Sequence, residues 1–342
     1  MNKITFPRTS YDGSQIDQKG LEDWFINAKV EKGNKNLVNA IENNLNSVKN
    51  NYKSSDQQRL LNLLIKNLQC ILLADPQKLE RYTKCSDSKF KNILKNKKNK
   101  ATKFNKAILK AFNYEGFRKN ILITLTEKLN IKTCPYCNMH YTLFAENGKS
   151  YSKKLTKFQF DHFFDKADYP FLSMSLYNLI PSCAVCNQGK SKGKISLKFH
   201  PYYSDIASQF KFRVEDPLPL LCGGKDRIEI KLETDFTSKK DVDEFNEFNN
   251  MFNIQTLYRR HRDVVQEVFD KAYMETYYYS GSFLKFLNTK QKDYFERLLY
   301  GTYLSATEIE KRPMSKFIQD IREQALSIYP ASHPTGKNSS KI

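Results

Sequence analysis

The sequence predicts an α+β protein: a small metal-stapled core of short strands and one helix, embedded in a mainly α-helical chain. Three observations predict it. Apolar residues recur at helical spacing on both sides of the chain's middle. Between about residues 131 and 200 that pattern breaks into short strand-like stretches and turns. The same middle holds two C-x-x-C pairs, Cys134/Cys137 and Cys183/Cys186, with the 45 residues from 138 to 182 between them.

The bulk composition bounds the function. At 342 residues and 40% hydrophobic, the chain can bury a core and is not disordered as a whole. It carries 56 Lys+Arg against 37 Asp+Glu, a formal +19. That balance favours polyanionic partners, nucleic acid first and an anionic membrane surface second; a solvated lysine-rich surface is the plain alternative. No apolar run reaches the roughly 18 residues of a membrane span. The opening MNKITFPRTSYDGSQ has no apolar signal region, so a cytoplasmic location is expected. Seven cysteines is an odd number, and Cys70, Cys85 and Cys222 lie apart from the two pairs. In that setting the pattern indicates reduced thiols and a metal site, not a disulfide framework.

Residues 1–130 are expected to be helical. QQRLLNLLIKNLQCILL (57–73) places Leu60, Leu61, Leu64, Leu68, Ile71 and Leu72 on one helix face, and Asp75-Pro76 should end it. Residues 81–110 hold eleven Lys/Arg and one acid, Asp87, a net +10. Interleaved Phe90, Ile93, Leu94, Phe104, Ile108 and Leu109 predict helix, lysine-rich turn, helix. The turn lysines Lys97, Lys98 and Lys100 could neutralise phosphates, or simply form a solvated face. Residues 131–203 should form the core. A short β-rich extension follows at 204–237, with strands at FKFRV (210–214) and IEIKLE (228–233) around the turn DPLPLLCGGKD. Residues 238–328 return to helix, in LYRRHRDVVQEVFDKAY and in SATEIEKRPMSKFIQDIREQAL, the latter capped by Ser305 or Thr307. Residues 329–342 are expected to be a disordered tail.

Two complete C-x-x-C pairs can place four thiolates tetrahedrally around one Zn²⁺. With no open position, that zinc would be structural; an iron site or unligated buried thiols are the alternatives. His140, three residues past Cys137, is expected to pack or face solvent. Inside the loop lies FQFDHFF (158–164), where Asp161 and His162 stand among four phenylalanines. A charged carboxylate in such a place is costly unless something uses it. Asn178 lies further along the loop, Asn187 follows Cys186, and Lys190, Lys192 and Lys194 come next. Asp161 and Asn187 offer hard oxygen donors suited to Mg²⁺ or Mn²⁺. In an ideal strand His162 points away from Asp161, so a local bend or bulge is expected if both serve one substrate. His200, before Pro201, could be an added ligand or a structural histidine.

The order Cys-x-x-Cys, Asp-His, Asn, Cys-x-x-Cys-Asn-x-x-Lys resembles the HNH endonucleases, over about 65 residues from 134 to 198. The resemblance implies a ββα-metal fold stapled by structural zinc. It makes Asp161 the first ligand of a catalytic ion and His162 the general base. Asn178 would orient the loop and the base. Asn187 stands where many members have His, which favours Mg²⁺ or Mn²⁺ as the catalytic ion. Lys190 would stabilise the phosphate, with Lys192 and Lys194 joining Lys97, Lys98 and Lys100 on nucleic acid. The stretch FDHFFDKADYPFLSMSLYNLIPSCAVCN is similar to the HNH subunits of bacterial anti-phage systems, the Septu nuclease subunit and its retron-associated relatives. That likeness implies a defence effector working beside a separate ABC-type or SMC-like ATPase subunit, because this chain has no G-x-x-x-x-G-K-[ST] of its own. DNA is the expected substrate, with RNA open. A non-catalytic zinc module that binds nucleic acid or scaffolds a complex is the competing expectation, and a redox or iron protein the third.

Overall fold

The computed structural model describes residues 3–30, 35–118, 120–146, 154–156, 158–189, 195–221, 228–279 and 284–329. The chain divides into two compact units. The N-terminal unit comprises residues 3–136 and 140–206; the C-terminal unit comprises residues 207 onward together with Cys137–Met139. Both mix helices with small sheets. Among the described residues there are four two-stranded antiparallel sheets and no larger one.

The N-terminal unit opens with strands β1 (Arg8–Thr9) and β2 (Gln15–Ile16), paired antiparallel. Helices α1 (Gln18–Asn27), α2 (Leu37–Asn51), α3 (Ser55–Lys66), α4 (Leu68–Leu72), α5 (Pro76–Lys89), α6 (Lys91–Leu94), α7 (Lys103–Phe112), α8 (Tyr114–Phe117) and α9 (Ile121–Leu129) follow. Short polar residues start them. Asp17, Asn36, Asp75 and Thr102 each accept a backbone N–H three residues on, satisfying a donor the first turn leaves open. Asparagines stop them: Asn113 after α7 and Asn130 after α9 adopt φ of 48° and 43°, a left-handed conformation that Asn tolerates. Their apolar faces meet in one core, where Leu21, Phe25, Ile41, Leu61, Ile108, Phe112 and Leu125 are fully enclosed. Each such side chain contributes about 1.5–3 kcal/mol of transfer free energy.

The expected single helix over 57–73 is two. Asn67 interrupts it: its amide side chain and its own backbone N–H both donate to the Leu63 carbonyl, at 2.9 and 3.1 Å. The Asn67 backbone, at φ −111° and ψ 20°, leaves helical geometry, and the helix is interrupted there between α3 and α4. Asp75-Pro76 then opens the next helix, with Asp75 as cap and Pro76 in the first turn.

Four strands and one helix follow the bundle. Strands β3 (Phe144–Glu146) and β4 (Lys154–Thr156) pair with each other. Strands β5 (Gln159–His162) and β6 (Leu179–Ser182) pair in register Gln159↔Ser182, Phe160↔Pro181, Asp161↔Ile180 and His162↔Leu179. Helix α10 (Ala184–Gly189) leaves directly from β6 and packs on β5.

In the C-terminal unit, strands β7 (Lys211–Val214) and β8 (Ile230–Glu233) form a hairpin-like pair with α11 (Leu218–Leu221) between them. Helices α12 (Lys239–Phe252), α13 (Ile254–Tyr258), α14 (Arg262–Met274), α15 (Thr289–Tyr300) and α16 (Ser315–Ile328) complete it. Its core is aromatic: the rings of Phe212, Tyr258 and Phe317 lie 4.4–5.1 Å apart. The two long helices expected here are each broken. The chain turns at Arg259–His261 between α13 and α14. Residues 306–311 form a 3₁₀ helix capped by Ser305, and Pro313 and the left-handed Met314 separate it from α16. Cys222 and the expected tail, from residue 330, lie outside the described residues.

Candidate functional site

The first cysteine pair is held by a tight turn of the chain. Thr133 bridges to Tyr141, the Cys134 amide donates to the His140 carbonyl at 2.9 Å, and the Thr142 amide donates to Lys132. His140 therefore acts through its backbone. Within the C-terminal unit, the Tyr258 hydroxyl donates to the Cys137 carbonyl at 2.7 Å, and the Asn138 side chain donates to Ile309 O and accepts from Lys316 N. Asn138 supplies the left-handed corner, φ 52°. In both pairs a backbone amide points at sulfur: Met139 N to Cys137 Sγ and Cys186 N to Cys183 Sγ, each at 3.4 Å.

These knuckles bring Cys134, Cys137, Cys183 and Cys186 into one buried group, with all four Sγ atoms within 4.8 Å of one another. A Zn–S bond of about 2.3 Å in a tetrahedron requires sulfurs about 3.8 Å apart, so this group could hold a metal ion such as zinc with little adjustment. Among the described residues it is the one cluster of three or more His, Cys, Asp or Glu side chains placed to do so. Four thiolates would leave no vacant position on a bound zinc, the arrangement of a structural site.

The strand β5 runs beside this group. Alternation puts Gln159 and Asp161 on one face and Phe160 and His162 on the other. The expected bend or bulge is not there. β5 and β6 pair residue for residue through Asp161 and His162, and the regular ladder keeps the two side chains on opposite faces. On the first face, Tyr136, fully enclosed between Cys134 and Cys137, donates its hydroxyl to Asp161 Oδ2 at 2.8 Å. Burial, and then the Asp161 charge, push the Tyr136 hydroxyl well above the usual phenol range, so it stays a donor. Asn187, on α10, donates its amide to the Gln159 side chain, placing Asn187 over the Asp161 face. Asp161 is 4% exposed.

His162, 8% exposed, is braced on the other face. Its Nε2 lies 3.0 Å from the Ser173 carbonyl. A carbonyl only accepts, so Nε2 carries a proton. The Tyr114 ring stands edge-on at 4.5 Å. Ser173 is positioned by Asn178. The Asn178 side chain accepts from Phe164 N at 2.7 Å and donates to Phe164 O and Leu172 O at 3.0 and 2.9 Å. Asn178 thus laces the loop between β5 and β6 and sets the carbonyl that orients His162.

The basic helical hairpin adjoins that same loop. Lys95 pairs with Asp168 at 2.7 Å, Asn105 donates to Ala167 O, and Tyr169 donates to Asp87, the segment's one acid. Asn96 closes the lysine-rich turn by accepting from the amides of Lys98 and Lys100, and Lys97, Lys98 and Lys100 project into solvent with no acidic partner among the described residues. Lys190, Lys192 and Lys194 lie outside the described residues. His200 is enclosed: its Nδ1 accepts from Tyr202 N at 3.2 Å and its ring lies 4.1 Å from Phe163.

Sequence reasoning missed Tyr136, Tyr114, Ser173 and Gln159. Gln159 was findable, two residues before Asp161 on the same strand face. A tyrosine inside a cysteine pair signals packing but not the partner of its hydroxyl. The chain matches no protein-family model, no curated protein and no solved structure. No helix among the described residues is long and apolar enough to cross a membrane.

Proposed function

We propose that the chain is a metal-dependent HNH-type endonuclease that hydrolyses phosphodiester bonds in DNA. The observation that carries the proposal is the arrangement around β5. Two antiparallel strands and a helix rest on a four-cysteine group, with Asp161 and Asn187 toward one face and a histidine oriented by a carbonyl on the other. Read as a ββα-metal core, Asp161 and Asn187 would hold one Mg²⁺ or Mn²⁺. Two protein oxygen ligands, with water and phosphate completing the shell, suit those ions. The ion, when bound, would neutralise charge on the phosphate and on the leaving 3′ oxygen.

The chain's own groups do the rest. Ser173 O holds the Nε2 proton of His162; for Nδ1 to take a proton from the attacking water, the end of β5 at His162 must turn so that the ring reaches the Asp161 face. The water oxygen bonds to phosphorus as the bond to the 3′ oxygen breaks. The lysine-rich turn beside the loop would bind backbone phosphates without reading bases. The likeness to anti-phage HNH subunits adds the proposal of a defence effector working with a separate ATPase subunit.

One observation favours a second function. Asp161 and His162 are both nearly enclosed and bonded inward, to Tyr136 and to Ser173, as in a non-catalytic zinc module that binds nucleic acid. Plasmid cleavage with Mg²⁺ or Mn²⁺ separates the two, using the intact chain and His162→Ala, each checked for bound zinc. Cleavage by the intact chain, lost in the zinc-loaded variant, is the expected result. Metal-dependent cleavage undiminished by His162→Ala refutes the assignment of the base. No cleavage by the intact chain, alone or with its ATPase partner, leaves the zinc module.

A further inference from the structure

Tyr136 belongs to the first knuckle by sequence and to the strand by its hydrogen bond. Its ring is fully enclosed, and Cys134 and Cys186 lie close enough to act on its hydroxyl electrostatically. The ring's packing needs no oxygen, since phenylalanine would fill almost the same volume. The oxygen serves Asp161, whose Oδ2 it meets at 2.8 Å. One bond thus runs from the backbone between two metal-binding thiols to the carboxylate assigned to the catalytic ion.

We infer that Tyr136 is a positioning residue through which the filled thiolate site regulates the affinity of Asp161 for a divalent ion. This rests on the proposal that Asp161 is a ligand. Metal held by Cys134 and Cys137 fixes the turn between them, and with it the direction of the Tyr136 hydroxyl. The hydroxyl fixes the plane of the Asp161 carboxylate. Hydrogen bonds of this kind orient a ligating carboxylate, and losing one typically lowers metal affinity about 10- to 100-fold. Loss or oxidation of the four-thiolate site would then silence the oxygen-ligand site without touching its ligands.

The test uses the full chain loaded with zinc. Zinc content is measured by emission spectroscopy and Mn²⁺ binding by electron paramagnetic resonance of the free ion. Tyr136→Phe is expected to keep one zinc per chain while its Mn²⁺ dissociation constant rises about 10- to 100-fold. Asp161→Asn should abolish the same Mn²⁺ site. Unchanged Mn²⁺ affinity in zinc-loaded Tyr136→Phe, with the site lost in Asp161→Asn, overturns this inference alone. A Mn²⁺ site that survives Asp161→Asn overturns the ligand assignment and the inference together. A second measurement needs no tyrosine variant. Linkage is reciprocal, so saturating Mg²⁺ should tighten zinc binding in chelator competition on the intact chain, and not in Asp161→Asn. Zinc affinity indifferent to Mg²⁺ in the intact chain overturns the coupling.

Discussion

Replacing Asn178 by Ala tests the bracing of His162 without touching the histidine. Asn178 is fully enclosed and makes three side-chain hydrogen bonds within the loop. The substitution leaves Phe164 N, Phe164 O and Leu172 O without that partner. A buried polar group stripped of its partner costs about 1–3 kcal/mol. Leu172 O keeps the Ser175 N–H at 3.1 Å and should cost least, while the two part-buried groups on Phe164 should each sit near the low end of that range. The sum is about 2–4 kcal/mol, large against the roughly 5–15 kcal/mol that holds a typical domain folded. Urea denaturation of the zinc-loaded chain measures it. Asn178→Asp should do no better: it is isosteric, but it aims a charged oxygen at two carbonyls instead of an amide. The loop would lose its register in both variants, and Ser173 O would no longer face His162 Nε2. A loss below about 1 kcal/mol, close to the range of an ordinary surface substitution, would refute the claim that Asn178 carries the loop.

Three further outcomes follow from the same geometry. Cys183→Ser should lose the bound zinc, measured by emission spectroscopy, and strip the α10 end of its anchor, seen as faster amide exchange in β5 and β6. Changing Lys97, Lys98 and Lys100 together to Ala should weaken binding to duplex DNA and flatten the slope of log K against log salt by about 2.7, at about 0.9 for each phosphate no longer neutralised. Burial pushes the Tyr114 hydroxyl up from 10.0 to about 12. A raised folded-state value means the folded chain keeps its proton longer, so this contribution is complete below pH 10 and is lost as pH rises through 12. It amounts to about 2–3 kcal/mol, and Tyr114→Phe should remove that part of the alkaline loss in denaturation curves.

The four-cysteine group was legible in the sequence because ligand chemistry constrains spacing, and two knuckles of the same form admit few other uses. The basic helical hairpin was legible from apolar residues at helical period under a run of lysines. The interruption at Asn67 was not, because apolar periodicity continues across it and only the backbone at that residue departs from helical geometry. Nor was the role of asparagine in stopping α7, α9 and α12, since a left-handed corner is chosen by the fold around it. Asp161 and His162 were visible as a costly pair among aromatics, but their partners were not. Tyr136 is 25 residues from Asp161 and Ser173 is 11 from His162, distances over which residue pattern carries no pairing information.

The opposite-face placement of Asp161 and His162 changes what the four-cysteine group is for. Two strands of four residues each are too little to stand alone in water. Something must grip this ribbon on both sides. On the Asp161 face the grip is the cysteine group, through Tyr136 and through α10, which begins directly after Cys183 and returns Asn187 to Gln159. On the His162 face it is the loop laced by Asn178, backed by α7 and the lysine turn. Each anchor that keeps the ribbon folded therefore also aims one of the two chemical groups. On this arrangement, disordering the four-cysteine group should also disorder the Asp161 carboxylate. Losing the loop's register, by contrast, should leave the four-cysteine group in place. The two halves of the candidate site should therefore fail separately.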